Sequence, residues 1–300
     1  MNEMKMRSGL NELVSGVGVC AVLSLGVAPV AVAAETPDYG YSYLTMGVEN
    51  ITYQEAFLGS GGAVSDVTTS SPVLNTGGLY YVNDKFDFSI DALATFTPLG
   101  ATERWEDNQG KAYQQNQFEY LRTSTNILVH YKWRDDVRVV FGPSLTYQTY
   151  KRYGLKGLNG YQNPVFREGD TWEEKSTDIF MDAGIAYDSG TLFNAEKWRV
   201  SGRWIAGIPI WSVTENTKFE NVSFDDFGFR TSLEATLSYE VMKGLHLGWF
   251  VMLGYEFRAE SDPQTVSFID SEGEWQQGTA WLPEAKTYTF NTGIQALWKF

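Results

Sequence analysis

Apolar and polar side chains alternate with a period of two over ten stretches of this chain, the pattern of β-strands with unlike faces. The last stretch, 288–300, sets Tyr288, Phe290, Thr292, Ile294, Ala296, Trp298 and Phe300 against Thr289, Asn291, Gly293, Gln295, Leu297 and Lys299. Such a strand is long for a soluble sheet and ends on an uncovered aromatic. It suits a bilayer, which about 9–11 tilted residues cross with aromatics at both interfaces. The other stretches are 39–53, 73–82, 86–96, 121–133, 137–148, 177–187, 198–208, 227–240 and 245–258. Long loops (59–72, 100–115, 151–175, 213–226, 259–285) alternate with shorter turns (83–85, 134–136, 189–197, 242–244). Aromatic pairs bracket the apolar faces, as Phe86 and Phe96, Trp198 and Trp204, Phe227 and Tyr239, Tyr288 and Trp298 do. The pattern predicts an all-β fold, a transmembrane antiparallel up-and-down β-barrel of about ten strands, with the short turns at the periplasmic end. A β-sandwich or lipocalin-like barrel would also alternate, but it would not need aromatics at both ends of its apolar faces.

Residues 1–34 have the form of a cleaved secretory signal: Lys5 and Arg7, an apolar run over 13–32, then Ala31, Ala33 and Ala34. The alternative, a membrane-anchoring helix, is opposed by Pro29 and several glycines. Residues 35–300 then form one barrel domain whose only candidate cysteine, Cys20, has left with the signal, so closure and burial must stabilise it without disulfides. A net charge of −14 disfavours nucleic acid as a partner.

Inward positions of the ten strands collect Asp87, Asp91, Asp178, Asp182, Glu234, Glu240 and Glu256 against Arg122, Lys132, Arg138, Arg199, Arg203, Arg230 and Arg258. Seven acids facing seven bases in a narrow lumen are expected to pair as a lattice that largely plugs it, since unpaired buried charge is costly. A narrow pore for small charged solutes is the competing expectation. The excess acid then falls on the outer loops, with Glu215, Glu220, Asp225 and Asp226 in one and Asp262, Asp270, Glu272 and Glu274 in another. Those loops are candidates for divalent cations or a surface ligand; a solvated acidic face is the plainer account.

The signal, the ten strands and the terminal phenylalanine resemble Gram-negative outer-membrane barrels as a class. The closing strand is similar to the segment that the barrel-assembly machinery recognises, with Trp298 and Phe300 in its aromatic places and Gln295 where a glycine is usual. The resemblance implies bacterial outer-membrane localisation, porin-like or surface roles, and contact with membrane lipid, lipopolysaccharide and that machinery. It leaves oligomeric state open. Ten strands also resemble the omptin proteases, which use acidic pairs and an Asp–His pair at the outer mouth. His130 and His246 are the only histidines, and the strand order puts both near the periplasmic end. A base at the mouth would have to be Asp178, Asp226 or Glu256 without histidine. No nucleophile motif or metal-ligand spacing occurs, so no catalytic residue, metal or cofactor is assigned and the chain is expected not to be an enzyme.

Overall fold

The computed structural model describes residues 40–57, 62–134, 136–163, 165–189, 197–219, 222–225, 227–270 and 272–300. The signal segment, Glu220 and Asp226 lie outside the described residues. The first strands are β1 (Tyr41–Ala56), β2 (Val64–Tyr81), β3 (Phe86–Thr95), β4 (Ala101–Glu106) and β5 (Ala112–Lys132). Then come β6 (Val137–Gly157), β7 (Trp172–Asp188), β8 (Trp198–Asn216), β9 (Ser223–Phe224) and β10 (Gly228–Met242). The chain finishes with β11 (Leu245–Arg258), β12 (Gln264–Ile269), β13 (Trp275–Ala280) and β14 (Glu284–Lys299). β1 pairs antiparallel with β2 on one side and with β14 on the other, so the sheet closes on itself. β3 and β4 occupy one place between β2 and β5, which makes the barrel ten-stranded. Their interruption stays bonded to β2, through Phe96 N–H to the Pro72 carbonyl (3.1 Å) and Leu99 N–H to that of Ser70 (3.0 Å).

The outward residues of the lower strands form a continuous apolar band. Leu44, Met46 and Val48, Ile185 and Tyr187, Leu233 and Leu237, and Ile294 all point away from the barrel, with Ile294 72% exposed to the surroundings. Polar groups within the band satisfy one another: the Trp249 indole donates to the Thr292 hydroxyl at 2.7 Å and the Trp204 indole to the Thr231 hydroxyl at 3.0 Å. A lipid environment, which offers no water partner, demands such pairing.

The strands run beyond the band, and here the structure corrects the loop boundaries expected from periodicity. β2 begins at Val64, and residues 100–115 are largely the β4–β5 hairpin rather than a loop. β5 and β6 each span 21 residues, about twice what a bilayer requires. Roughly ten of them stand above the membrane, about 25 Å of tilted sheet. Above the band the apolar side changes face. Glu119 and Gln117 now point outward while Tyr120 and Phe118 point in, both essentially fully buried. Tyr53, Phe118, Tyr120 and Tyr150 form an aromatic core inside this protruding cup, with Tyr53 and Phe118 stacked at 5.5 Å.

The loops above the cup are also packed. Phe224, Val266 and Leu282 are buried together, with Phe219, Val222, Phe268 and Ala280 against them. The 213–226 and 259–285 segments therefore share a small core, and much of each is strand: β8 continues to Asn216, β9 pairs with it, and β12 and β13 form a hairpin. Phe166 stacks on Trp172 at 4.1 Å, and Lys218 meets Asp170 at 3.7 Å, which ties the loop after β6 to the one after β8.

Ile294→Arg, in the middle of the band, is expected to destabilise the barrel by about 2–4 kcal/mol. Gln54→Arg, on the same outer surface but above the band, is expected to be near neutral. Refolding into lipid vesicles across a denaturant series, followed by the heat-sensitive gel shift of a folded barrel, measures both; equal effects would displace the membrane band.

Candidate functional site: the lumen

Alternation sends every second side chain of each strand into the lumen, and the strand order decides which charges face one another. At the periplasmic end Asp87 is held by Lys132 (2.8 Å) and Arg138 (2.9 Å), all three inward on β3, β5 and β6. Arg199 pairs with Asp188 at 2.6 Å. Next comes a bar across the lumen. Arg203, on β8, reaches Asp91 on β3 at 2.5 Å, four places away around the ring, and Glu234 on neighbouring β10 at 2.8 Å. The Tyr43 hydroxyl donates to Asp91 as well, at 2.7 Å.

Above the bar, Arg230 binds Asp182 (2.7 Å) and donates to the Thr146 hydroxyl (2.9 Å), while Ser144 donates to Asp182 (2.6 Å). Arg122 pairs with Glu49 on β1. Higher still, Gln148 donates to Glu256 at 2.8 Å, and Asp178 accepts from Ser176 (3.0 Å) and from Ser212. In the cup Arg152 joins Glu55 and Glu103, each at 2.7 Å, and Arg258 joins Glu174 at 2.6 Å. The Arg152 guanidinium also lies over Phe118 (5.4 Å) and Trp105 (5.7 Å). Phe57 bridges Trp105 and Trp281 as an aromatic lid, with centroids 5.8 and 6.1 Å away.

Apolar side chains fill what the charges leave. Val73, Leu93, Phe250 and Met252 meet inside the lumen near the bar. Cavities of about 80 and 60 Å³ flank the bar, the first toward the periplasm and the second above it, and one of about 30 Å³ lies higher beside Asp178 and Glu256. Arg203, Asp91 and Glu234 line the first two and stand between them.

The structure thus places Asp87, Asp91, Arg122, Arg138, Asp182, Arg199, Arg203, Arg230, Glu234 and Arg258 in ion pairs across the interior. Asp178 and Glu256 also face inward, where Asp178 accepts from serine hydroxyls and Glu256 from Gln148. Glu240 is a correction. Its carboxylate accepts the Gly244 N–H of the turn at 2.8 Å and makes no ion pair among the described residues, although Glu240 itself stays in register opposite the inward His246, ahead of the bulge that follows it. The expected balance of seven and seven also changes, since Glu49, Glu55, Glu103, Glu174, Asp188 and Arg152 belong to the network. Glu55, Glu103, Arg152 and Glu174 lie above the membrane, where the outer face carries no apolar stripe to mark a strand; their signal is the inward aromatic at every second position, as in Phe118 and Tyr120.

His130 and His246 are both buried at the periplasmic end. His130 Nε2 is 2.8 Å from the Ser89 hydroxyl, but its Nδ1 has no hydrogen-bond partner, so no acid orients the ring as a triad would. Among the described residues no group of histidine, cysteine and carboxylates could hold a metal ion.

Arg203→Ala would leave two buried carboxylates facing each other without a cation and is expected to cost about 3–5 kcal/mol. The triple variant Arg203→Met, Asp91→Asn, Glu234→Gln removes the charge with the bulk and should recover most of that loss. Urea unfolding of the detergent-solubilised barrel reads both; an Arg203→Ala barrel as stable as wild type would contradict the pairing.

No protein-family model matches the chain, and no curated protein matches it in sequence. Solved structures do. The outer membrane protease OmpT from Escherichia coli superposes with a TM-score of 0.62 at 11% identity, covering 90% of this chain and 99% of that one. The transport unit of the autotransporter AIDA-I from Escherichia coli gives 0.38 at 10% identity, covering 92% and 96%. The β-domain of the Bordetella autotransporter BrkA gives 0.39 at 11% identity, covering 86% and 99%. At these identities the likeness is one of fold, and the fold is that of the closed antiparallel barrels of Gram-negative outer membranes.

Proposed function

We propose that this protein is an outer-membrane surface module: a barrel that anchors and does not conduct, carrying a folded outer body that binds a partner. The observation that supports this best is the Arg203 bar, which with Asp91 and Glu234 stands between two small lumen cavities. An open pore would need this pairing broken, with charges left unpaired in a narrow interior. The order of the outer body supports the second half of the reading. A barrel needing only to span would not extend 21-residue strands or build an aromatic core and an interlocked loop layer above the membrane. Lipopolysaccharide would surround that body and the barrel-assembly machinery would insert it, with Trp298 and Phe300 in the closing strand.

We propose no catalytic role for the mouth. The carboxylates that could act as bases there, Asp178 and Glu256, already accept hydrogen bonds from serine hydroxyls and from Gln148, and both histidines lie at the far end.

Bacteria displaying the full chain are compared with bacteria displaying a barrel whose segments 158–171 and 259–283 are replaced by short turns. Adherence to immobilised host or bacterial surface proteins should be lost in the trimmed form while its gel shift shows a folded barrel. Equal adherence of the two would remove the outer loops from the function.

A further inference from the structure

The β12–β13 hairpin carries a feature that the barrel does not use. It is a two-stranded sheet outside the closed ring, and β13 pairs with nothing but β12 among the described residues. Alone such a hairpin is marginal. Here one face is anchored: Val266 is buried against Phe224 and Leu282, Phe268 lies on Phe219, and the Phe268 ring covers Gly278, where a Cβ would come within 3.1 Å. The turn is hydrogen-bonded too. Asp270 N–H donates to the Glu274 carbonyl (2.9 Å), Gly273 N–H to that of Asp270 (3.2 Å), and Gly273 takes the left-handed conformation (φ 92°). The Asp270 carboxylate accepts from the N–H groups of Glu274 (3.0 Å) and Glu272 (2.8 Å), which holds its pKa below the ordinary range.

The Asp270–Glu274 bond fixes the phase of the ladder. Bonded pairs alternate with non-bonded ones, so Phe268 with Gln276 and Val266 with Gly278 exchange bonds within the hairpin. The N–H and C=O groups of Trp275, Gln277 and Thr279 then point away from β12, into the open. Those three side chains are themselves exposed, Trp275 by 59%. The opposite edge is less accessible, since Gln264 donates across it to the Ser223 carbonyl at 3.1 Å. Free sheet edges are ordinarily blunted by lysine, proline or a bulge. β13, with the sequence Trp-Gln-Gln-Gly-Thr-Ala, has none of these.

We propose that the free edge of β13 binds an extended, basic peptide segment of a partner protein as a third strand. Open backbone donors and acceptors at strand spacing select an extended chain. Charge selects its sign: residues 259–285 contain Glu260, Asp262, Asp270, Glu272, Glu274 and Glu284 and no lysine or arginine. Arg167, from the loop after β6, reaches this tip and donates to the Asp270 carbonyl at 3.2 Å. The same acidity repels the equivalent hairpin of a second copy. The inference rests on the surface-module reading and names its partner class.

The test uses the folded full chain in detergent, with two synthetic probes: a peptide alternating lysine with valine, and its counterpart alternating glutamate with valine. The lysine peptide is expected to bind and to slow hydrogen exchange at Gln277 and Thr279. Gln277→Pro removes an outward N–H while leaving the hairpin's own bonds at Gln276 and Gly278, and is expected to weaken binding about tenfold. Thr279→Lys, which alters no backbone group, should weaken it as well and guards against a hairpin lost to proline. Equal binding of the glutamate peptide, protection elsewhere in the chain, or self-association without peptide would each overturn the proposal. Bacteria displaying Gln277→Pro separate the two readings. If they adhere as wild type does while the trimmed barrel does not, the surface role stands and this edge is not its site.

Discussion

The pairing of arginine with carboxylate across the barrel interior is the constraint on which the rest of this structure depends. A ten-stranded sheet encloses a lumen only a little wider than side chains can fill. Charges placed there have little water to screen them, so each must find a partner or leave a costly vacancy. Arginine suits the task because its planar fork can hold two acids at once, as Arg203 holds Asp91 and Glu234 and Arg152 holds Glu55 and Glu103. Three of these four contacts tie strands that do not touch through the backbone: β8 to β3, β6 to β1 and β6 to β4. The lattice therefore braces the barrel's cross-section as well as filling it.

That bracing gives the outer body its footing. The network does not stop at the membrane surface but continues into the cup, where Arg152 and Arg258 join five strands among the aromatic residues Tyr53, Phe118 and Tyr150. A cup filled this way behaves as the core of a soluble sheet protein, apolar inside and polar outside. The loops stacked on it gain a firm base, and the small cluster around Phe224, Val266 and Leu282 holds their strands in place. Rigidity passes from lumen to cup to loops, and it is the last of these that meets the surroundings.

The membrane-embedded part was legible in the sequence because lipid imposes one rule on it, apolar outward and polar inward. Leu44, Met46 and Val48 on the first strand and Tyr288, Phe290, Ile294 and Trp298 on the last obey it. The extension above the membrane was not legible by the same rule, because water reverses it. On β5 the apolar face crosses from Leu121, outward, to Tyr120 and Phe118, inward, and on β1 from Val48 to Ile51 and Tyr53. A period of two survives the crossing, but its phase slips, so a single continuous strand looks like a strand followed by a loop. The same slip hid Glu103, Arg152 and Glu174 among residues assigned to loops. Glu240 failed for a local reason: it is the last inward position before the turn, and its carboxylate takes the turn's Gly244 N–H.

The central claim is that the lumen is closed by charge, and the current through a planar bilayer tests it most directly. Purified, refolded full-length barrel, shown to be inserted by its gel shift, is expected to give no discrete conductance steps at moderate voltage. Steps should appear only when the Arg203 bar is removed. Regular ion-selective steps from the wild-type protein would contradict the account, since they would require a continuous water path through the Asp91–Arg203–Glu234 bar.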